Sequence, residues 1–165
     1  MSNRKDEQFL AFRLGEYLYA LPISVVLEII PSQEITPLPL APNYLLGIVN
    51  LRGIALPILD LAAIFSKKTS TTSKTPAIIV CEVNPFSLGF YVDQVLEVFA
   101  CSQQEIQKLP QLEQKTQKSH IQGTVLRDEK FVVILNADQI LDMEELRKLS
   151  HFLSNSAEKN ADLHS

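Results

Sequence analysis

Histidine and cysteine side chains are the first candidates for chemistry in this sequence, and their spacing does not favour a metal or redox site. His120, His151 and His164 lie far apart, without a cysteine or second histidine at the spacing that zinc ligands require. Cys81 and Cys101 each stand alone in an apolar stretch, which is typical of small buried residues in a reducing compartment. We therefore expect no metal and no cofactor.

The sequence also contains no recognisable catalytic or phosphate-binding motif. No serine occupies a G-x-S-x-G setting, and the five glycines are scattered singly, outside any nucleotide-binding pattern. The net charge of -4 and the lack of tryptophan disfavour a nucleic-acid partner. The polar start MSNRKDEQ and the lack of a long apolar run predict a soluble, cytoplasmic protein. The inventory favours a binding protein over an enzyme.

The polar residues that stand out are single charges embedded in apolar sequence. A half-buried charge without a partner is costly, so such residues are expected to be paired or to serve a contact. Arg52 is the clearest example, because it interrupts the otherwise apolar stretch GIVNLRGIALPILDL. The full set is Glu28, Arg52, Asp60, Asp93, Glu97 and Arg127.

Short strands must position these charges. The segment FLAFRLGEYLYALPI predicts antiparallel strands over 9–14 and 17–22, with Gly15 and Glu16 as the hairpin turn. The next segment, SVVLEIIP, fits either a helical turn or a strand, and we interpret it as a short helix that runs into a strand. The prolines of ITPLPLAP predict an extended connector, with Pro42 starting a short helical turn.

The rest of the sequence also predicts mainly short strands joined by turns. We expect strands on both sides of 50–53, a strand-turn-strand unit in 77–100 with its turn at 84–85, and a buried strand at FVVIL. SQQE predicts a capped helical turn, and the spacing of apolar residues after Asp142 predicts a C-terminal helix. The polar segments 66–76 and 109–120 are predicted to be surface loops.

The two halves of the chain resemble each other in sequence. VLEII matches VLEVF, GIVNLRG matches GTVLRDE, and ILDLAAIF matches ILNADQIL, in the same order. This repeat predicts two similar all-β halves that share an apolar interface, each curled into a small barrel so that no edge strand stays exposed. The groove between the halves is the expected place for a ligand or a partner helix.

The longest of these motifs resemble a known family. FLAFRLGEYLYALPISVVLEII, ITPLPLAP and GIVNLRGIALPILDL, with GFYVDQVLEVF and ILNADQIL in the second half, are similar to the CheW-like chemotaxis coupling proteins. The resemblance implies an all-β fold with short helices, made of two intertwined five-stranded barrels of the Src-homology type with a hydrophobic interface, and a C-terminal helix. We expect one domain over 9–150, with its halves divided near 66–76 and flexible tails at 1–8 and 154–165.

The function that the resemblance implies is coupling rather than catalysis. Such an adaptor binds the cytoplasmic tip of a chemoreceptor (a methyl-accepting chemotaxis protein) and the regulatory domain of a CheA-type histidine kinase. It is cytoplasmic, associates with receptor arrays and meets the membrane only through receptors. Two alternatives remain open: a scaffold or competitor in a pilus-motility or phototaxis pathway, and a small barrel that binds nucleic acid or a small ligand. The last predicts a basic, aromatic face, which this composition disfavours.

Seven positions are the predicted partner contacts. They are Val26, Glu28, Ile30, Gly47, Asn50, Arg52 and Val95.

Several of these positions also have a purely structural interpretation. The two valines are alternatively core residues, and Gly47 alternatively permits a tight backbone path. Glu28 and Arg52 are either unrelated surface charges or an ion pair, and we favour the pair because their flanking sequence is apolar. We expect Asn50 and Gly53 to shape the turn, Leu51 and Ile54 to face the core, and Arg52 to reach a rim.

Overall fold

The computed structural model describes residues 6–65, 74–83, 86–108 and 120–163, with side chains described as far as residue 155. The strands are β1 (Glu7–Leu14), β2 (Tyr17–Pro22), β3 (Val26–Pro31), β4 (Leu45–Leu51), β5 (Ile54–Asp60), β6 (Ala77–Val83), β7 (Phe86–Val92), β8 (Gln94–Cys101), β9 (Ile121–Arg127) and β10 (Lys130–Leu135). The α-helices are α1 (Leu61–Phe65) and α2 (Met143–Leu163), and 3₁₀ turns occur at Ile23–Val25, Gln103–Glu105 and Ala137–Gln139. Within these described ranges, no helix is both long enough and apolar enough to span a bilayer.

The strands form two five-stranded sheets that have the same internal plan. The first sheet has the order β8-β1-β2-β10-β9, and the second has the order β3-β6-β7-β5-β4. One pair in each sheet is parallel, β2 with β10 in the first and β7 with β5 in the second, and the other pairs are antiparallel. The strands β6-β7 therefore correspond to β1-β2, and β3-β4-β5 correspond to β8-β9-β10.

The sequence repeat is thus a structural repeat, but the halves exchange strands. The hairpin β1-β2 of the first half pairs with β8 and β10 of the second half, while β6-β7 of the second half pairs with β3 and β5 of the first. The expectation that each half curls into its own barrel is therefore wrong. Apolar strands of this length do not encode which hairpin they pair with, and the pairing is set by the tertiary fold. The two intertwined units implied by the family resemblance are confirmed.

In each sheet, the segment that follows one edge strand forms hydrogen bonds with the strand at the opposite edge. Beyond β3, Thr36 exchanges two backbone hydrogen bonds of 2.9 Å with Ile48 of β4. Beyond β8, Gln107 exchanges backbone hydrogen bonds of 2.7 and 2.8 Å with Thr124 of β9. These matching contacts satisfy backbone groups at the sheet edges.

A glycine lies at each of these edge contacts. A Cβ atom at Gly47 would lie 2.1 Å from the carbonyl oxygen of Thr36, and a Cβ at Gly123 would lie 2.6 Å from that of Gln107. Gly47 also has a φ of +147°, which side chains disfavour. Both glycines are therefore required by close backbone approach.

Apolar side chains form one shared core and a smaller cluster against each sheet. In β1, Phe9 and Ala11 face the cluster of the first sheet, while Leu10 and Phe12 face the shared core. Both faces of this strand are thus buried. The cluster of the second sheet consists of Ile30, Val49, Leu56, Ile58, Ile78 and Val80.

Most local expectations are confirmed. The hairpin around Gly15 (φ +60°), the short helix before β3, the capped turn after Ser102 and the helix after Asp142 are all present. After Pro42 the structure has only a hydrogen-bonded turn to Leu45 (3.0 Å), not a helix. The predicted turn at 84–85 and most of the two predicted loops lie outside the described residues.

Two further expectations differ from the structure. Ile54 is 67% exposed instead of facing the core, because it directly follows the β4-β5 turn. Residues 154–163, expected to be a flexible tail, have helical backbone that continues α2 to Leu163. The segment from 143 to 163 contains neither proline nor glycine, so its sequence provides no helix stop.

Candidate functional site

Glu28 and Arg52 form an ion pair between two edges of the second sheet, as the sequence favoured. Glu28 lies on β3 and Arg52 lies in the β4-β5 turn, and the guanidinium donates to both carboxylate oxygens, with 3.5 Å between Nη1 and Oε2. The hydrogen bond with Glu28 raises the pKa of Arg52. The Arg52 side chain is 71% exposed and that of Glu28 is 32% exposed, so the pair faces solvent and is open to a partner.

The turn that carries Arg52 has a well-defined geometry. Arg52 has a φ of +50° and Gly53 a φ of +85°, the left-handed pair that a two-residue hairpin turn uses. The side-chain oxygen of Asn50 accepts a 2.9 Å hydrogen bond from the Gly53 N–H. Asn50 and Gly53 therefore shape the turn as expected, and the turn directs Arg52 toward β3.

The other sequence-predicted residues have positions closer to the core. Val26 is partly buried against the shared core, and Ile30 belongs to the second sheet's cluster with 8% exposure. Gly47 lies at the edge contact with Thr36. The structure thus nearly buries Ile30 and gives Gly47 a close backbone contact, whereas Glu28, Asn50 and Arg52 are brought together at the surface.

Val95 belongs to a different sheet but shares a groove with Ile30. The groove has a volume of about 660 Å³ and lies where the end of β3 and the start of β6 meet the start of β8. Its walls are largely aliphatic, and Val95 itself is partly buried against the shared core. The residues that line it are Ile29, Ile30, Pro31, Ser32, Lys74, Thr75, Pro76, Ala77, Gln94 and Val95. A groove at the seam between the two units is thus present, as expected.

Two exposed apolar residues beside the ion pair were not anticipated from the sequence. Leu27 is 53% exposed and Ile29 is 44% exposed, on either side of Glu28 along β3. Apolar residues stand on both sides of Glu28 without alternation, so the sequence does not tell which of them face outward. We call Leu27, Glu28, Ile29 and Arg52 together the β3 rim.

The corresponding position in the first sheet has a different contact. In the internal repeat, Arg127 is equivalent to Leu51 and Asp128 is equivalent to Arg52. Arg127 is therefore not the counterpart of Arg52. The guanidinium of Arg127 lies 4.6 Å from the ring centroid of Phe99, and this cation–π contact joins β9 to β8. An arginine therefore connects the two edge strands of the first sheet through an aromatic ring.

Two buried carboxylates accept hydrogen bonds from backbone N–H groups next to the core. Oδ1 of Asp60 accepts hydrogen bonds from the N–H groups of Ala62 (3.1 Å) and Ala63 (3.4 Å) and caps α1. Oδ2 of Asp93 accepts a 2.6 Å hydrogen bond from the Gly15 N–H. Burial raises the pKa of Asp60, the two backbone donors oppose that change, and nearby Asp93 adds to it. Both residues are structural anchors.

The described cysteines and possible metal ligands do not form a redox or metal site. Burial raises the pKa of the Cys81 thiol to about 12, so the thiol is unreactive. Among the residues that the structure describes, no group of three His, Cys, Asp or Glu side chains is arranged to hold a metal ion.

Known proteins share both the sequence and the fold. Residues 8–145 match the family model described as the CheW-like domain. Chemotaxis protein CheW of Treponema pallidum is 32% identical over 152 residues, with 88% of this chain and 89% of that protein covered. Chemotaxis protein CheW of Rhizobium meliloti is 31% identical over 138 residues, with 84% and 89% covered.

A solved structure has the same architecture. The crystal structure of the scaffolding protein TtCheW from Thermoanaerobacter tengcongensis matches with a TM-score of 0.74 and 29% sequence identity. The match covers 84% of this chain and 90% of that chain.

Proposed function

This chain belongs to the CheW-like domain family of chemotaxis coupling adaptors, and we propose that it joins its two partners through the β3 rim and the adjoining groove. The groove receives the helical cytoplasmic tip of a chemoreceptor, and the rim binds the regulatory domain of a CheA-type histidine kinase. The observation that carries this proposal is the solvent-facing Glu28–Arg52 pair on an edge strand, β3, whose other face carries the exposed side chains of Leu27 and Ile29.

The physical basis is the division between apolar and charged contacts. An amphipathic helix binds a groove through aliphatic side chains, and Ile30 and Val95 supply such walls. Charged groups at an interface rim set orientation and partner choice more than they set affinity. Because Glu28 satisfies Arg52 in the free protein, a partner meets a preformed pair whose geometry it must complement.

The cellular setting follows from the same proposal. An adaptor that binds receptor tips works at the cytoplasmic side of the membrane, in receptor arrays, and needs no membrane contact of its own. It acts by holding receptor and kinase together rather than by catalysis.

The substitution Arg52→Ala tests the proposal. Because the Arg52 side chain is mostly exposed, we expect thermal melting and far-UV circular dichroism to stay close to those of the wild type. We expect weaker co-sedimentation with receptor fragments and kinase and reduced receptor-stimulated kinase activity. A large loss of fold stability with binding intact would contradict the proposal.

A matched control comes from the exposed pair on α2. Lys148 lies 3.6 Å from Glu144, and its side chain is also 71% exposed, so Lys148→Ala removes an equally exposed cation far from the rim. It should leave coupling unchanged. Exchanging the charges with Glu28→Arg and Arg52→Glu keeps the pair but reverses its direction. Coupling should stay weak in this double variant if the partner contacts the two side chains directly.

A further inference from the structure

A second cavity opens within the first sheet and is not part of the β3 rim. Its volume is about 610 Å³. Its floor is apolar and includes Ala11, Leu18, Phe99 and Val132, which belong to or pack against the cluster of that sheet. The cavity therefore extends from solvent to the apolar cluster of that sheet.

Three cationic side chains surround this cavity, which we call the cationic cavity: Arg13, Arg127 and Lys130. Arg13 donates to the backbone oxygen of Gly15 (3.0 Å) and to Oε1 of Gln94 (3.4 Å), both uncharged acceptors. Within the described part of the chain, none of the three cations has a carboxylate within 4.0 Å. No described carboxylate therefore forms an ion pair with these cations.

Acidic residues line the cavity as well but do not neutralise it. Glu97 and Asp128 contribute to the lining, so three positive charges face two negative ones. This local excess of positive charge contrasts with the net charge of -4 of the whole chain. The contact of Arg127 with the Phe99 ring also holds one guanidinium in place at the edge of the apolar floor.

The internal repeat provides a comparison within the same molecule. At the positions that correspond to Arg13, Arg127 and Lys130, the second sheet carries Glu82, Leu51 and Ile54. The fold therefore does not require cations at these positions, because the same strand arrangement forms with an acid and two aliphatic residues.

We propose that the cationic cavity binds an acidic peptide segment of a partner protein, with carboxylates against Arg13, Arg127 and Lys130 and an apolar side chain on the floor. The apolar floor favours a segment that carries both kinds of group over an inorganic anion. The charge balance and the opening beside edge strands β8 and β9 favour an extended acidic chain. This contact is additional to the receptor and kinase contacts proposed above.

Peptide binding to the full chain tests the proposal directly. The probe is a fluorescein-labelled heptapeptide that alternates glutamate with leucine and phenylalanine, followed by fluorescence anisotropy at low and high salt. One comparison peptide has lysine in place of each glutamate, and another has glycine in place of each apolar residue. Sodium phosphate is the inorganic competitor.

We expect saturable, salt-sensitive binding of the acidic peptide, and weak binding of both comparison peptides. The double substitution Arg127→Gln and Lys130→Gln should lower the affinity about tenfold, as the loss of two charged contacts predicts. Lys148→Gln on α2 should have no effect, since it removes an exposed cation elsewhere. Equal affinity of the double variant, equal binding of the lysine peptide, or no saturation by millimolar peptide would overturn the proposal.

Backbone amide shifts in the wild-type protein give a test without mutation, which also covers a double variant that fails to fold. The peptide should shift the amides of Leu18, Phe99 and Val132 on the cavity floor. Shifts confined to Leu27–Ile29 would place the peptide on the β3 rim and refute the assignment to the cationic cavity. Complete competition by phosphate alone would indicate a simple anion site instead of a peptide site.

Discussion

Replacing Gly47 by alanine should be among the more destabilising single-methyl changes in this fold. The new Cβ would lie 2.1 Å from the Thr36 carbonyl oxygen, a backbone atom that cannot rotate away, and the φ of +147° disfavours any side chain. The backbone strain costs about 1–3 kcal/mol, and loss of the two Thr36–Ile48 hydrogen bonds adds about 1 kcal/mol each. Reduced freedom of the unfolded chain offsets about 0.4–1 kcal/mol. The free energy of unfolding should therefore fall by about 3 kcal/mol, a substantial fraction of ordinary domain stability.

Gly53→Ala is the matched control for this prediction. Gly53 also has a positive φ (+85°), but no atom lies within 4 Å of the point that an alanine Cβ would occupy, so only backbone strain applies. Its cost should stay near ~1 kcal/mol. Urea unfolding followed by circular dichroism measures both values. Equal unfolding midpoints for the two variants would refute the argument that close approach to Thr36 makes Gly47 necessary.

Other substitutions test the anchors of the fold. Asp60→Asn keeps an oxygen acceptor for the α1 N-terminus, whereas Asp60→Ala removes it and should cost about 1 kcal/mol. Because burial raises the pKa of Asp60, the stability that its protonated form provides is lost as pH rises through the folded-state value. Relative to the wild type, the free energy of unfolding of Asp60→Asn should therefore be highest at pH 7 and lower near pH 4, as measured by urea titration. A difference between variant and wild type that does not change with pH would contradict this. Cys81, with its pKa raised to about 12, should not react with a disulfide reagent at pH 8 until denaturant is added. Leu149→Ala, at a fully buried position on α2, should cost about 2–5 kcal/mol by thermal melting if the helix is held by its apolar face.

Local features of the fold were predictable because their causes are local. Gly15 marked the first hairpin, since a glycine at a positive φ suits a two-residue turn. Asn50 and Gly53 marked the β4-β5 turn for similar reasons. The Glu28–Arg52 pair was predictable from two charges in apolar surroundings, because an unpaired charge there is unfavourable.

Long-range features were not predictable from the same information. The strands β3 and β8 have nearly the same sequence, VLEII and VLEVF, so their composition does not tell which hairpin each one joins. The repeat also gives Arg52 no basic counterpart, because GTVLRDE has Asp128 at that position and lacks the asparagine and glycine that mark the turn in GIVNLRG. The exposure of Leu27 and Ile29 follows from the position of β3 at the edge of its sheet, which the segment's own sequence does not specify.

The exchange of strands also determines when each unit can form as the polypeptide is synthesised. All strands of the second sheet lie in one continuous stretch, from β3 to β7, whereas the first sheet needs β1 and β2 from the start of the chain and β8 to β10 from its end. A nascent chain therefore has every strand of the second sheet before any of β8, β9 or β10 has been made. The hairpin that leaves the ribosome first must wait longest for its partners, and such distant pairing is intrinsically slow. The last translated strand, β10, thus controls when the first sheet, including the cationic cavity, can exist.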